Sequence, residues 1–348
     1  MRIAVIGAGV VGLSTAYALR RYPVTVRCYE AGEPMGGRSR GGTRIFRLAH
    51  ETPALVRYAA RARAGWHRWE RTAGQAFVGS ETTVVSGVGA AEQYTAMRAA
   101  GVRCGLYDGV TDVPGLPTNR RIPGPFLVDP AGGVIQAGST GDFLRAAVGR
   151  TVQHDAVERL TVAGDSVTVH SERGRWVCDA VLVAAGTGTA SLVQPLGITA
   201  PAELRHHVRF TFPLVEAYPP RRCWLERSGI WRPDFTAYGH PLGSRSWALG
   251  GSVPADDVAW SLEPEEARRR SLVTVVAYVT EFLGGAVGTV PTDEVHCAVT
   301  PGLGDGVQVA RAGPVLAVWG ENLFKFAPAL GADLAAAVAA RTLPDDLP

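Results

Sequence analysis

Lysine is almost absent from this sequence: of its 35 basic residues only Lys325 is a lysine. The arginines are spread along the chain and the formal net charge is only +3. The concentrated basic footprint that nucleic-acid binding requires is therefore missing. Cysteine is scarce as well. Cys28, Cys104, Cys178, Cys223 and Cys297 are odd in number, far apart and without metal-ligand or redox spacing. This argues against a disulfide framework and for a reducing, cytoplasmic setting. No apolar run approaches the roughly 20 residues of a membrane span. The apolar stretch after Met1-Arg2 is broken by glycines, unlike a signal peptide. His206 and His207 are neighbours, but adjacent side chains on a strand point to opposite faces, so no metal site is expected there.

What is present reads as an enzyme of ordinary composition. The 348 residues, 46% hydrophobic and 19% charged, suffice for two intertwined domains. Ile3 to Ile6 is a short β-branched run that enters a glycine turn, Leu13 to Arg20 has helical periodicity, and Val24 to Tyr29 is a second strand ending at Glu30. This is a βαβ unit carrying Gly7-Ala8-Gly9-Val10-Val11-Gly12. Gly7 allows the tight turn, Gly9 lets a pyrophosphate approach the backbone, and Gly12 lets helix and strand pack closely. The helix N-terminus offers N–H donors to phosphate, and Glu30 stands where a carboxylate binds ribose hydroxyls.

Further along, helices are expected from about Pro53 to Thr72, from Glu263 to Leu283 and from Pro328 to Arg341. Val152 to Val169 reads as two strands of a small meander, and Asp179 to Ala185 and Val315 to Trp319 as apolar parallel strands. Between about 204 and 290, Trp224, Trp231, Phe235, Tyr238, Trp247 and Trp260 alternate with polar residues, as half-buried antiparallel strands do. The expected fold is α/β: a discontinuous Rossmann-like domain (1–84, 137–203 and 291–348) and a substrate domain with an antiparallel sheet (85–136 and 204–290).

After Glu30 comes Gly36-Gly37-Arg38-Ser39, in a loop where an NAD domain would continue into a helix. This pattern resembles the FAD-containing amine oxidoreductases, in which the loop reaches toward the flavin. Gly42-Thr43-Arg44-Ile45-Phe46-Arg47-Leu48-Ala49-His50 and Leu323-Phe324-Lys325-Phe326 are similar to two segments of the glycine oxidase and sarcosine oxidase family. Gly42 and His50 depart from that family's Asp and Tyr. The resemblance implies FAD held by Gly7, Gly9, Val10, Val11, Gly12, Glu30, Ala31, Gly37, Arg38, Ser39, Gly42, Thr43, Arg44, Val157, Ala185, Gly186, Gly320, Leu323, Phe324 and Lys325. It places Arg44 beside the flavin and implies that Arg47 and Lys325 grip the substrate carboxylate, with Trp247 among the substrate contacts. A rigid guanidinium fork and a compact ammonium suit that task. Cys297 falls near a cysteine that some members bond to the flavin. With Val299 two residues on instead of the usual Tyr, a structural cysteine is the favoured reading. Ala248 stands where sarcosine oxidases carry a lysine that assists reaction with oxygen.

These features imply oxidation of an amino acid, foremost an N-substituted glycine or other secondary amine, with O2 as acceptor. Rival readings are a dehydrogenase with another acceptor, a primary D-amino acid or glycine oxidase, an aromatic-ring monooxygenase, and a non-enzymatic dinucleotide-binding regulator. If two or more aromatics of the 224–247 region face the flavin, the substrate should also carry an apolar group.

Overall fold

The computed structural model describes residues 1–108, 110–111, 115–118, 120–215, 222–345 and 347. Its first sheet is ordered Val152–His154, Thr25–Glu30, Arg2–Ile6, Ala180–Val183, Val315–Gly320 and Val307–Ala312. All neighbours are parallel except the last pair. Ile3, Ala4, Val5 and Ala180 to Val183 are almost wholly buried. Parallel sheets covered on both faces need such unbroken apolar runs, which is why these strands are legible in the sequence. Helix Val10–Leu19 covers one face and packs on helix Ala327–Ala340, with Gly331 close against Ser14. The turn and helix from Leu323 to Ala340 have the length and apolar composition of a membrane span, but 67% of this stretch is buried in the protein core.

The other face carries the meander Val157–Ala163, Ser166–Ser171 and Gly174–Cys178. The meander thus starts later and has one strand more than the expected pair. Val152–His154 instead extends the parallel sheet, because it pairs with Cys28 to Glu30.

The second sheet runs Asp293–Val299, Arg205–Pro213, Ser246–Gly251, Ala237–Leu242, Cys223–Arg227, Thr83–Gly87, Phe126–Asp129 and Gly105–Tyr107. Helix Pro264–Phe282 lies under it, and Val208, Phe210, Phe212, Trp224, Trp247 and Leu249 join Tyr278 and Phe282 in a separate core. Two seams differ from expectation. Thr83–Gly87 straddles the boundary expected at 84, and Asp293–Val299, assigned to the nucleotide domain, pairs along its length with Arg205–Pro213 in this sheet. Strand Thr43–Phe46, paired with Gly133–Gln136, leads from the glycine-rich loop into the space between the two sheets.

Candidate active site

A cleft of about 1330 Å³ runs between the sheets. It exceeds the 300–1,000 Å³ typical of one small ligand, as a dinucleotide plus a substrate would require. One end is built by the glycine fingerprint. Gly7 turns at φ +100°, and its N–H donates to Tyr29 O at 2.8 Å. A Cβ on Gly12 would overlap the Gly7 carbonyl, whereas one on Gly9 would meet only Ser39 Oγ, at 3.2 Å. Gly12 is therefore a packing residue, and Gly9 is the open approach to the backbone.

Glu30 accepts from Ala8 N at 2.7 Å and Gly32 N at 3.0 Å while its carboxylate still lines the cleft. Ser39 Oγ accepts from Val10 N at 2.9 Å, and no acidic side chain enters the first turn of helix Val10–Leu19. Val10, Val11, Ala31, Gly37, Val157, Ala185 and Gly186 also line this part. Gly37 has nothing within 4 Å of a built Cβ, and Gly186 meets only Arg38 Cδ. A helix start whose N-cap is a glycine and whose first turn carries no acid, open glycines and a ribose-facing carboxylate fit the ADP half of FAD. Arg38 lines the cleft but is occupied within the protein, by an ion pair to Glu321 and a 2.8 Å bond to Ala298 O.

At the other end Arg47 and Lys325 come together, as the sequence implied, but with an unforeseen partner. Asp305 forms an ion pair with Arg47 and accepts from Lys325 Nζ at 2.9 Å. Asn322 Nδ2 donates at 2.8 Å to Oδ1, the same Asp305 oxygen that Lys325 contacts, while Arg47 takes Oδ2. Arg47, Lys325 and Asp305 are nearly inaccessible to solvent. Burial raises the Asp305 carboxyl, but Lys325, Arg47 and His50 outweigh it and hold it well below the usual carboxylate range. Burial lowers Lys325 to about 8 despite Asp305. His50 Nδ1 lies 3.2 Å from Asp305 without hydrogen-bonding geometry, and burial with Arg47 and Lys325 depresses its pKa to about 3.

Lys325 is fixed by its backbone. It sits in the turn Leu323–Phe326, its carbonyl accepts from Trp66 Nε1 at 2.9 Å, and Trp66 stacks on Phe324. Arg47 Nη1 is buried without a hydrogen-bond partner, so one donor remains for a ligand. Arg227 and Glu51 also line this end. With Arg47 and Lys325 against Asp305, three cations face two carboxylates, and the single positive excess complements one carboxylate. His50, Glu51 and Asp305 lie close enough to share a metal ion. A dication there would face Arg47 and Lys325 across the same carboxylate, so the charge pattern suits an anion instead.

A third group forms one wall. Strand alternation sends Val208, Phe210 and Phe212 into the core and His207 and Arg209 into the cleft, beside Tyr238, His240, Cys297 and Arg44. Arg209 Nη1 and Arg44 Nη1 both donate to Thr43 O at 2.7 Å. Burial lowers His207 to about 4 and His240 to about 3, and raises Tyr238 to about 12. Burial also raises the Cys297 thiol, which lies 3.6 Å from His207 Nδ1.

Three assignments need correction. Trp247 does not reach the cleft: its indole is wholly buried in the second core, over Gly239. The alternation that turns His207 and Arg209 toward the cleft puts Trp247, opposite Phe212, on the other face. Gly42 and Thr43 do not line the cleft: Gly42 is exposed, and Thr43 is buried and supports the wall through its carbonyl. Of the aromatics from 224 to 247, Tyr238 faces the cleft, while Trp224, Trp231, Phe235 and Trp247 belong to the second core. The basis for an apolar substrate group is thereby removed. Asp305 and Arg209 escaped sequence reading. For Arg209 a signal existed in the polar–apolar alternation of His207-Val208-Arg209-Phe210-Thr211-Phe212. For Asp305 only a glycine-flanked turn marked the place.

Residues 2–337 match the family model described as FAD dependent oxidoreductase. D-amino acid dehydrogenase of Cereibacter sphaeroides is 30% identical over 246 residues, 66% of this chain and 52% of the relative. The chain thus spans about half the length of that relative. Monomeric sarcosine oxidase of a Bacillus species is 25% identical over 315 residues, covering 82% of this chain and 78% of the relative. Among solved structures, NikD, described as an unusual amino acid oxidase essential for nikkomycin biosynthesis, superposes with a TM-score of 0.80 at 17% identity, over 99% of this chain and 95% of NikD. L-proline dehydrogenase from P. horikoshii gives 0.79 at 15%, over 100% and 95%. At these identities the structural matches speak to the fold.

Proposed function

This chain belongs to the family of FAD-dependent oxidoreductases, and on that premise we propose that it oxidises the C–N bond of an amino acid, foremost an N-substituted glycine or other secondary amine. The observation that carries the reading is the buried Arg47 donor left without a partner beside Lys325, in a cluster with one positive charge in excess. A substrate carboxylate would take that donor and share Lys325 with Asp305, which fixes the molecule at one end. Glu30, Gly9 and the start of helix Val10–Leu19 would hold the ADP half of the cofactor. The chemistry the bound cofactor would supply is two-electron acceptance of a hydride from the carbon bearing nitrogen, with oxygen as the electron acceptor and hydrogen peroxide as its product.

The chain's own part is largely positional. Arg47 and Lys325 orient the carboxylate, the walls exclude water, and His50, His207 and His240 stay neutral, so none of these buried imidazoles competes as a cation for the amine's place. The imine product hydrolyses in water, an N-alkylglycine giving glyoxylate and a free amine. The five cysteines, all unpaired, support a reducing compartment. Anaerobic mixing with N-alkylglycines and D-amino acids tests the reading. Bleaching of the yellow flavin by an N-alkylglycine is expected, and a flavin that stays oxidised with every member of the panel refutes it.

A second reading has its own support. The D-amino acid dehydrogenase similarity, together with Ala248, favours an acceptor other than oxygen. Peroxide formed per substrate consumed separates the two: near unity for an oxidase, near zero for a dehydrogenase.

A further inference from the structure

At the Arg47 end of the cleft one cation has no counter-charge of its own. On strand Cys223–Arg227 the alternation sends Trp224 and Glu226 toward helix Pro264–Phe282, and Leu225 and Arg227 into the cleft. Arg227 is fixed through its backbone, in register with Gly87 and accepting at its carbonyl from Val88 N at 3.0 Å. Its half-buried guanidinium makes no hydrogen bond and no ion pair among the described residues. Nη1 lies beside Gly89, where a built Cβ would meet it at 3.6 Å. Burial and Arg47 disfavour the Arg227 charge, and Glu51 and Asp305 offset part of this from beyond salt-bridge distance. Each of those acids has other partners. Asp305 takes Arg47, Lys325 and Asn322, and solvent-exposed Glu51 accepts from Gln93 Nε2 at 3.0 Å.

A guanidinium withdrawn from water is unfavourable unless an anion faces it, and its planar fork matches a carboxylate. The donor left on Arg47 already provides for one substrate carboxylate. Arg227 therefore provides for a second acidic group. The charge of the whole end agrees: Arg47, Lys325 and Arg227 against Asp305 and Glu51 leave one positive charge. An amino acid with one ammonium and one carboxylate is neutral overall, whereas an ammonium with two carboxylates carries the one negative charge that matches.

We propose that Arg227 is a specificity-determining residue that binds a second carboxylate of the substrate, so that the preferred amines are dicarboxylates. Glycines whose N-substituent ends in a carboxylate and amino acids with an acidic side chain are the two forms of that class. The inference rests on the reading of Arg47 and Lys325 as the grip on the first carboxylate, and it adds the recognition of the substrate's far end.

The test uses the flavin-loaded protein and pairs of ligands that differ in one group. Calorimetric titration compares short alkane dicarboxylates with their half-amides, which keep the size and lose one charge. The best-fitting dicarboxylate is expected to bind about tenfold tighter than its half-amide, and in Arg227→Gln that ratio is expected to fall below about threefold. Arg227→Lys keeps the charge and is expected to keep the ratio above about threefold. Equal affinities for the two ligands in the unsubstituted protein overturn the proposal, and that comparison requires no variant to fold. A preference undiminished in Arg227→Gln overturns it as well, by assigning the second carboxylate to another cation. Turnover separates this inference from the reading beneath it. An N-carboxyethyl glycine and its carbamoylethyl counterpart are both expected to bleach the flavin, the diacid with a kcat/KM about tenfold higher. Equal values refute the role of Arg227 and leave amine oxidation standing. A flavin that no amine reduces, beside an intact preference for the dicarboxylate over its half-amide, sinks the oxidation reading alone and supports Arg227 as the second carboxylate site.

Discussion

Asp305 accepts from the Lys325 ammonium at 2.9 Å, and it is the same carboxylate that pairs with Arg47. The substrate grip is therefore already half-filled by the protein's own chain. A ligand carboxylate enters a site whose net charge Asp305 has reduced but not cancelled.

Replacing this carboxylate should separate stability from affinity. Asp305→Asn leaves Arg47 and Lys325 buried without their counter-charge, which costs about 3–5 kcal/mol. The thermal midpoint is expected to drop. The affinity for a carboxylate inhibitor is expected to rise roughly tenfold, about 1.4 kcal/mol, because one competitor is gone. Calorimetric titration together with melting curves, with and without the inhibitor, checks both halves. Weaker inhibitor binding in the variant would count against the grip.

The pH dependence of substrate binding follows from Lys325. Its ammonium holds a proton below about pH 8 and loses it above. The KM of a carboxylate substrate should be flat below that point and rise about tenfold per pH unit well above it, as the charged fraction falls. Lys325→Met should show a raised KM, by one to two orders of magnitude, with no such rise. Initial-rate profiles from pH 6 to 10 on both proteins test this. A parallel rise in the variant would assign the titration to another group.

Stability in acid should fall for a different reason. Burial holds His50 and His240 at about 3 and His207 at about 4, all below the unfolded value near 6.5. A base whose folded pKa is depressed binds fewer protons than the unfolded chain between those limits. Stability is therefore lost as pH falls from about 6.5 toward 4, by up to about 1.4 kcal/mol per pH unit for each histidine. The urea midpoint is expected to be clearly lower at pH 5 than at pH 7. Equal midpoints would mean that these rings are protonated in the fold.

Gly9 and Gly12 should fail in different ways. A methyl on Gly12 collides with the Gly7 carbonyl, so Gly12→Ala should prevent accumulation of folded protein. At Gly9 the backbone has an ordinary negative φ and the space beyond is the cleft. Gly9→Val is expected to fold, with an unchanged circular dichroism spectrum, yet purify colourless. A yellow Gly9→Val would place the diphosphate elsewhere.

How much of this was legible beforehand depended on whether the information was local. The fingerprint, Glu30 and the buried strands lie within short windows where period and turn chemistry suffice. Arg47 and Lys325 were found because each sits in a contiguous recognisable segment. Asp305 joins them only because the turn after Asp293–Val299 folds back over the Lys325 loop, and no local pattern encodes that return. Trp247 misled because an aromatic near a motif reads as a pocket residue until strand register decides its face. Arg209 is the converse case, an arginine inside an apolar strand whose direction the same alternation determines.

The interior position of Val315–Gly320 in the first sheet has a consequence for biosynthesis. A nascent polypeptide that has emerged from the ribosome as far as residue 300 already carries the complete glycine turn, but it lacks the strand that lies against Ala180–Val183 and the Lys325 loop beyond it. The parallel sheet is thus completed late in translation, and a prematurely terminated product would leave an open apolar edge at Ala180–Val183 for chaperones or proteases to recognise.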